Sequence, residues 1–316
     1  MYLQLNRLYC YIIRMTQAAG IAIAMLIGVA GTSTIHLSKG VMKHGVELLR
    51  ACTISQPVAA EGAGTAAVVL PGQRTEARMI YTAGVLMNFT NPVWVIIANR
   101  FAPTVYYTSM YGLGLVSLLL FSHFVLHERL DRRRLSGSLV VIAGTLIVGF
   151  SRFADPVPGM HLANRSLVLL IAAGWAVAAP LAALLSGRAS LTLQEVLFGL
   201  FGGGLASLEA VLKGVAQSGP AGSTFLPQTG ANWWIFVVSF AGAAGAFAMI
   251  QWSYLRRCRV SIMAAAYDVS YVAIPLVLVA VAIPAEQLGL LSIVGLIVLA
   301  IGASIIQTRP AAAPAA

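Results

Sequence analysis

The sequence predicts an all-α polytopic membrane protein with about nine transmembrane helices in two inverted-topology repeats. Three observations carry that expectation: the composition, the spacing of the apolar runs, and an internal match between the two halves. Of 316 residues, 59% are apolar and 9% charged, against roughly 45–50% and about 25% in an average soluble domain. That balance excludes a water-soluble fold. The net charge of +10 comes from 20 Lys/Arg and 10 Asp/Glu, but the basic residues sit in the gaps between apolar runs, which points to membrane orientation and not to nucleic acid. Cys10, Cys52 and Cys258 are far apart and odd in number, so neither a disulfide framework nor a zinc site is implied.

A helix needs about 20 apolar residues to cross a bilayer. Apolar runs fall near 18–37, 79–99, 101–126, 135–151, 166–185, 196–212, 233–254, 260–283 and 288–307. All are read as helices, because backbone groups in lipid must pair within their own segment. Only Glu209 and Asp268 among the charged residues lie inside these runs. Residues 1–17 form an amino-terminal segment in which Arg7 and Arg14 precede no A-x-A-like cleavage site, so no removable leader is read. Residues 18–152 form a first repeat of four helices with one long loop at 38–78, residues 153–307 a second of five, and 308–316 a low-complexity tail expected to be disordered. With the amino terminus outside, fourteen Lys and Arg, including Lys39 and Lys43, face inward and six, including Arg152 and Lys213, face outward. The positive-inside rule therefore places the carboxyl terminus in the cytoplasm.

A shift of 158 residues aligns the second half on the first without a gap. Glu128, Gly137, Gly144 and Trp94 fall on Glu286, Gly295, Gly302 and Trp252, giving a shared E-x8-G-x6-G. A looser echo pairs Lys39-Gly40-Val41 with Lys213-Gly214-Val215. Matched helices lie five apart in order, and an odd displacement runs partners in opposite directions. Inverted repeats frame many secondary transporters, with the substrate site near the midplane where the halves meet.

Asp268 lies eight residues into its run, about 12 Å at 1.5 Å per residue. A carboxylate at that depth must be paired, hydrated or protonated. It is the candidate coupling or ligand group, with a protonated packing residue as the alternative. Tyr267 and Tyr271 flank it, and Pro275 cannot donate to the Tyr271 carbonyl. In the second run Asn88, Thr90 and Asn91 precede Pro92, a polar break tolerated only where it faces protein or water. Trp94, Trp252, Tyr106, Tyr107 and Tyr111 are either walls of a site or interface anchors. Glu209 reads as a solvated helix-end residue, with a vestibule charge as the alternative, and Glu128 and Glu286 as groups holding the turns that follow them. His123 and His127, four apart beside Glu128, lack a third metal ligand. Gly199 and Gly203 form a GxxxG that marks close helix contact. No phosphate-binding loop is present, which argues against an ATP-driven pump.

FAPTVYYTSMYGLGLVSLLLFSHFVLHERLDRRRLSGSLVVIAGTLIVGF (101–150) resembles the repeat module of the drug/metabolite transporter superfamily, the EamA type, and 259–307 looks like its second copy. SKGVMKHG (38–45), the series from Asn88 to Pro103 and QWSYLRR (251–257) are similar to the NIPA-like branch, named for magnesium transporters. The stretch YDVSYV (267–272) departs from the Pro-Ile-Tyr-Tyr-like pattern expected there. The resemblance implies a carrier and not an enzyme, with no cofactor, in contact with the lipid bilayer and with a small solute or cation, and it leaves a homodimer open. The expected activity is alternating-access movement of a small organic solute, with Asp268 protonation as the coupling event. The rival cargo is Mg2+, for which Asp268 and Asn88 would be the ligands, and a rival of another class is a non-transporting membrane subunit.

Overall fold

The computed structural model describes residues 2–54, 71–127, 131–220, 222–284 and 286–307. Helices account for almost all of it: α1 Tyr2–Ile54, α2 Pro71–Asn88, α3 Asn91–Phe101, α4 Thr104–Thr108, α5 Leu115–Phe124, α6 Arg132–Ala154, α7 Arg165–Leu185, α8 Leu191–Gln217, α9 Gly230–Leu255, α10 Val260–Ala282 and α11 Leu290–Gln307. The described residues hold nine spans long and apolar enough to cross a membrane, α2 with α3 and α4 with α5 each counting as one. The chain is a multi-pass integral membrane protein. Its outward surface is apolar, as at Leu170, Leu184, Leu255 and Leu290, which are 63–78% exposed. Lipid covers such a surface.

The inverted repeat has a direct structural signature. A Cβ added at Gly137 would meet the Gly302 carbonyl at 2.9 Å, one at Gly302 the Gly137 carbonyl at 2.8 Å, one at Gly144 the Gly295 carbonyl at 2.8 Å, and one at Gly295 the Gly144 carbonyl at 3.1 Å. Position 137 corresponds to 295 and 144 to 302, so the contact 137–302 and its image 295–144 are both present. Partner numbers fall as the first numbers rise, so α6 and α11 run antiparallel. Two copies of one helix therefore pack across a pseudo-two-fold axis, backbone to backbone, where only Gly leaves room.

Several expectations are corrected. The loop 38–78 is far shorter, because α1 continues to Ile54 and α2 begins at Pro71. No proline interrupts 38–54, and Lys43 and Glu47 form an i,i+4 pair at 3.5 Å, so the polar residues ride on a helix without breaking it. Residues 55–70, the tail 308–316 and Glu128 lie outside the described residues. The third run is not one helix. It is broken at Ala102-Pro103 and again by a 3-10 turn at Tyr111–Gly114, since Pro103 has no N–H to give. The second run breaks at Phe89-Thr90, and Pro92 opens a new helix instead of kinking the old one. Arg152 is no flanking charge: it is 2% exposed, donates to Glu286 at 2.8 Å and bonds Ser292. Glu286 thus ties the end of α6 to the turn before α11.

Candidate functional site

The most enclosed spans are α8, α10 and the broken third span, each with more than two thirds of its membrane window buried, while α7 lies on the outside. The GxxxG on α8 sets their spacing. A Cβ on Gly199 or Gly203 would strike the carbonyls of Met263 and Tyr267 on α10, so the two backbones touch and α10 is seated with Tyr267 and Asp268 facing the interior.

Asp268 is fully buried, and its Oδ1 lies 2.9 Å from His36 Nε2 on α1, also fully buried. The proton inventory of this pair follows from its neighbours. His36 Nδ1 is 2.9 Å from the Thr32 carbonyl, which can only accept, so Nδ1 carries a hydrogen. Nε2 and Oδ1 at 2.9 Å need one further proton between them. Whichever atom holds that proton, the pair sums to zero charge. Thr32 donates in turn to the Tyr111 carbonyl at 2.5 Å. Gly114 admits the imidazole, because a Cβ there would collide with His36 Nδ1.

One turn along α1, Lys39 is also fully buried. Its Nζ has no hydrogen-bond partner among the described residues and rests 3.6 Å from the centroid of the Tyr267 ring and 5.4 Å from that of Tyr111. Tyr111 stacks on Tyr271 with centroids 3.7 Å apart. The hydroxyls of Tyr111 and Tyr271 are buried without a hydrogen bond of good geometry, the first beside Tyr267 and the second beside Asn91. Asp268 Oδ2 is likewise unpartnered.

A second cluster adjoins the first. Tyr107 donates to Asn91 Oδ1 at 3.1 Å, and Asn91 donates to Glu209 Oε2 at 3.3 Å. Glu209 pairs with Lys213, both fully buried. The solvated position expected for Glu209 is therefore wrong, because Lys213, four positions further along α8, supplies its counter-ion inside the bundle. Lys213 and Lys39, read as loop residues, are likewise interior. Beside the second cluster lies a cavity of about 20 Å³, lined by Asn88, Asn91, Pro92, Glu209, Tyr267 and neighbouring apolar groups, room for about one water.

Different contacts close the two ends. Away from the basic loops, Thr104 donates to Asn99 at 2.8 Å, Asn99 to Gln217 at 3.1 Å, and Gln217 to the Thr224 and Phe225 carbonyls beyond the hairpin β1 Ser218–Gly219 and β2 Gly222–Ser223. Toward the basic loops, a vestibule of about 400 Å³ is lined by Lys43, Glu47, Arg50, Tyr254, Arg257 and Cys258. Its floor is Tyr254, whose hydroxyl donates to the Lys39 carbonyl at 2.9 Å while Arg50 holds the Tyr254 carbonyl at 2.8 Å. Cys258 sits between spans, and burial pushes its thiol up to about 12.

Of the residues singled out in the sequence, Asp268, Tyr267, Tyr271, Tyr111, Tyr107, Asn91 and Glu209 converge. Asn88 borders the cavity, and Ser38 reaches its Oδ1 at 3.5 Å. Trp94 donates to Thr90 at 3.1 Å, Trp252 packs on Phe198, and Tyr106 binds the Val157 amide at 2.9 Å. His123 packs on Phe124 and His127 reaches the Val125 carbonyl, and the described residues contain no group of three potential metal ligands. Sequence reasoning missed His36, Lys39 and Lys213. The available signals were a His inside the first apolar run and the repeated Lys-Gly-Val. No family model, curated protein or solved structure matches the chain.

Proposed function

We propose that this protein is a carrier that moves a small organic solute by alternating access, with the proton shared by His36 and Asp268 as the coupling proton and the basic face in the cytoplasm. The observation that supports this most is the enclosure of a buried ionisable cluster between helices of two inverted halves, with Tyr254 on one side and a chain of amide and hydroxyl hydrogen bonds on the other. Buried charges at this depth are costly and are retained where they serve a pathway. The cavity beside Glu209, Asn91 and Tyr267 holds about one water, so the state seen is occluded and a solute enters only as the halves part. The motif resemblance to the drug/metabolite transporter superfamily agrees with this reading.

Charge arithmetic favours an organic solute over the NIPA-like cargo. The His36–Asp268 pair is neutral, Glu209 is cancelled by Lys213, and Lys39 adds one positive charge. Mg2+ takes oxygen ligands and draws on carboxylate charge, and among the described residues the interior acids Asp268, Glu209, Glu195 and Glu286 each already face a base.

Uptake into proteoliposomes tests the proposal, with labelled organic metabolites and a divalent-cation panel side by side. The expected result is flux of an organic solute that responds to a pH gradient and loses that response in Asp268→Asn. Flux unchanged by Asp268→Asn at every pH removes the coupling role, and Mg2+ flux alone replaces the cargo.

A further inference from the structure

We infer that Lys39 and the tyrosines around it form a binding site for a small organic carboxylate, an assignment of substrate class that rests on the carrier reading above. Among the described interior residues Lys39 is a cation with no hydrogen-bonded acid, and the acid that acts on it, Asp268, already faces His36. Lys39 Nζ offers three N–H donors, and none finds an acceptor among the described residues. The neutral His36–Asp268 pair gives it no full counter-charge, and Glu209 is already taken by Lys213. The aromatic face of Tyr267 gives partial compensation. Such an arrangement is costly when empty and favourable when an anion enters.

The other orphan groups specify the anion further. The Tyr111 and Tyr271 hydroxyls, beside Tyr267 and Asn91 but without a hydrogen bond of good geometry, are two more donors in the same cluster. Ammonium and hydroxyls together suit the two oxygens of a carboxylate, and the rings of Tyr111, Tyr267 and Tyr271, which stack on one another in this closed state, are the apolar surface its hydrocarbon part meets as the halves part. A halide would satisfy the ammonium and leave those faces without a purpose. The approach is matched in sign, because Lys43, Arg50 and Arg257 line the vestibule against the single acid Glu47, and such a lining concentrates anions. Tyr254, which lines that vestibule, donates its hydroxyl to the backbone carbonyl of Lys39.

The test is thermal stability of the purified full-length protein with sodium acetate, lactate, butanoate and benzoate, each against its amide and against sodium chloride at equal ionic strength. At least one carboxylate is expected to raise the melting temperature where its amide and chloride do not, and Lys39→Met is expected to weaken that response roughly 10- to 100-fold. The empty Lys39→Met protein is expected to melt at or above the wild-type temperature, since it loses an unpaired buried charge. A merely structural Lys39 gives the reverse. The inference is overturned if no carboxylate is distinguished from its amide or from chloride, or if Lys39→Met responds as wild type does. Its failure is separable from that of the carrier reading. Proteoliposome flux of a neutral or cationic solute, with no carboxylate binding, sinks the carboxylate site and leaves the carrier. Carboxylate binding without flux of any solute does the opposite.

Discussion

Lys39 and Lys213 occupy echoed positions in the two halves, each followed by Gly-Val on a helix that the repeat matches, and each lies on an aromatic ring. Lys213 has Glu209 one turn before it and Phe240 at 4.0 Å. Lys39 has Ile35 where Glu209 would stand, and its Nζ faces Tyr267 with no acceptor. The same scaffold position is thus closed electrostatically in one half and open in the other. A duplicated frame can keep one copy of a buried charge for structure while the other is left free to meet a ligand. Asymmetry within a symmetric frame is where function is to be sought.

The largest expected effect comes from breaking the closed copy. Lys213→Met leaves the Glu209 carboxylate buried without its counter-ion and is expected to cost about 3–5 kcal/mol, read as a fall in melting temperature in detergent. Adding Glu209→Leu should recover most of that loss. If Lys213→Met is neutral, the two lysines do not differ as described.

Next comes the frame itself. Gly302→Leu forces a side chain into the Gly137 carbonyl, and overpacking of this kind costs about 1–3 kcal/mol. Gly144→Leu, at the repeat-matched position, is expected to cost a similar amount. Unequal losses would mean that the two crossings are not equivalent.

A smaller effect belongs to the floor. Tyr254→Phe removes one hydrogen bond, about 0.5–1.5 kcal/mol, and should loosen the vestibule more than the opposite plug. Cys258 reports it. With its thiol pushed up to about 12 by burial, the thiolate is scarce at pH 7–9, and the closed state should react slowly with a water-soluble maleimide. A free thiol near its ordinary value gains rate with each unit of pH until it ionises. In a Cys10→Ala background, half-buried Cys52 is the internal reference, and Tyr254→Phe is expected to raise the Cys258 rate severalfold. An unchanged rate would mean that Tyr254 is not the floor.

Much of this architecture was legible because it is local. Apolar runs, the E-x8-G-x6-G match and the GxxxG on α8 depend on near neighbours in sequence, and each reappears as a span or a backbone contact. Asp268 was legible by depth alone, but its partner His36 lies 232 residues away, and no spacing rule links them. Lys39 was misplaced because counting basic residues for orientation treats every lysine near a run's end as a loop residue. Glu209 was misplaced because its counter-ion fell one residue beyond the assigned run. The breaks at Phe89-Thr90 and Ala102-Pro103 were only partly foreseen, since apolar residues continue through them and hydropathy does not see a missing N–H.

The central claim, that two inverted halves open the chamber to one face at a time, is tested most directly by paired distance measurements between spin labels in liposomes. In a cysteine-free background, one pair at positions 47 and 257 spans the vestibule and another at 100 and 228 spans the opposite plug. Two populations are expected, the first pair long when the second is short, with the balance shifting on addition of a transported solute. A single fixed distance for both pairs under all conditions would contradict the account.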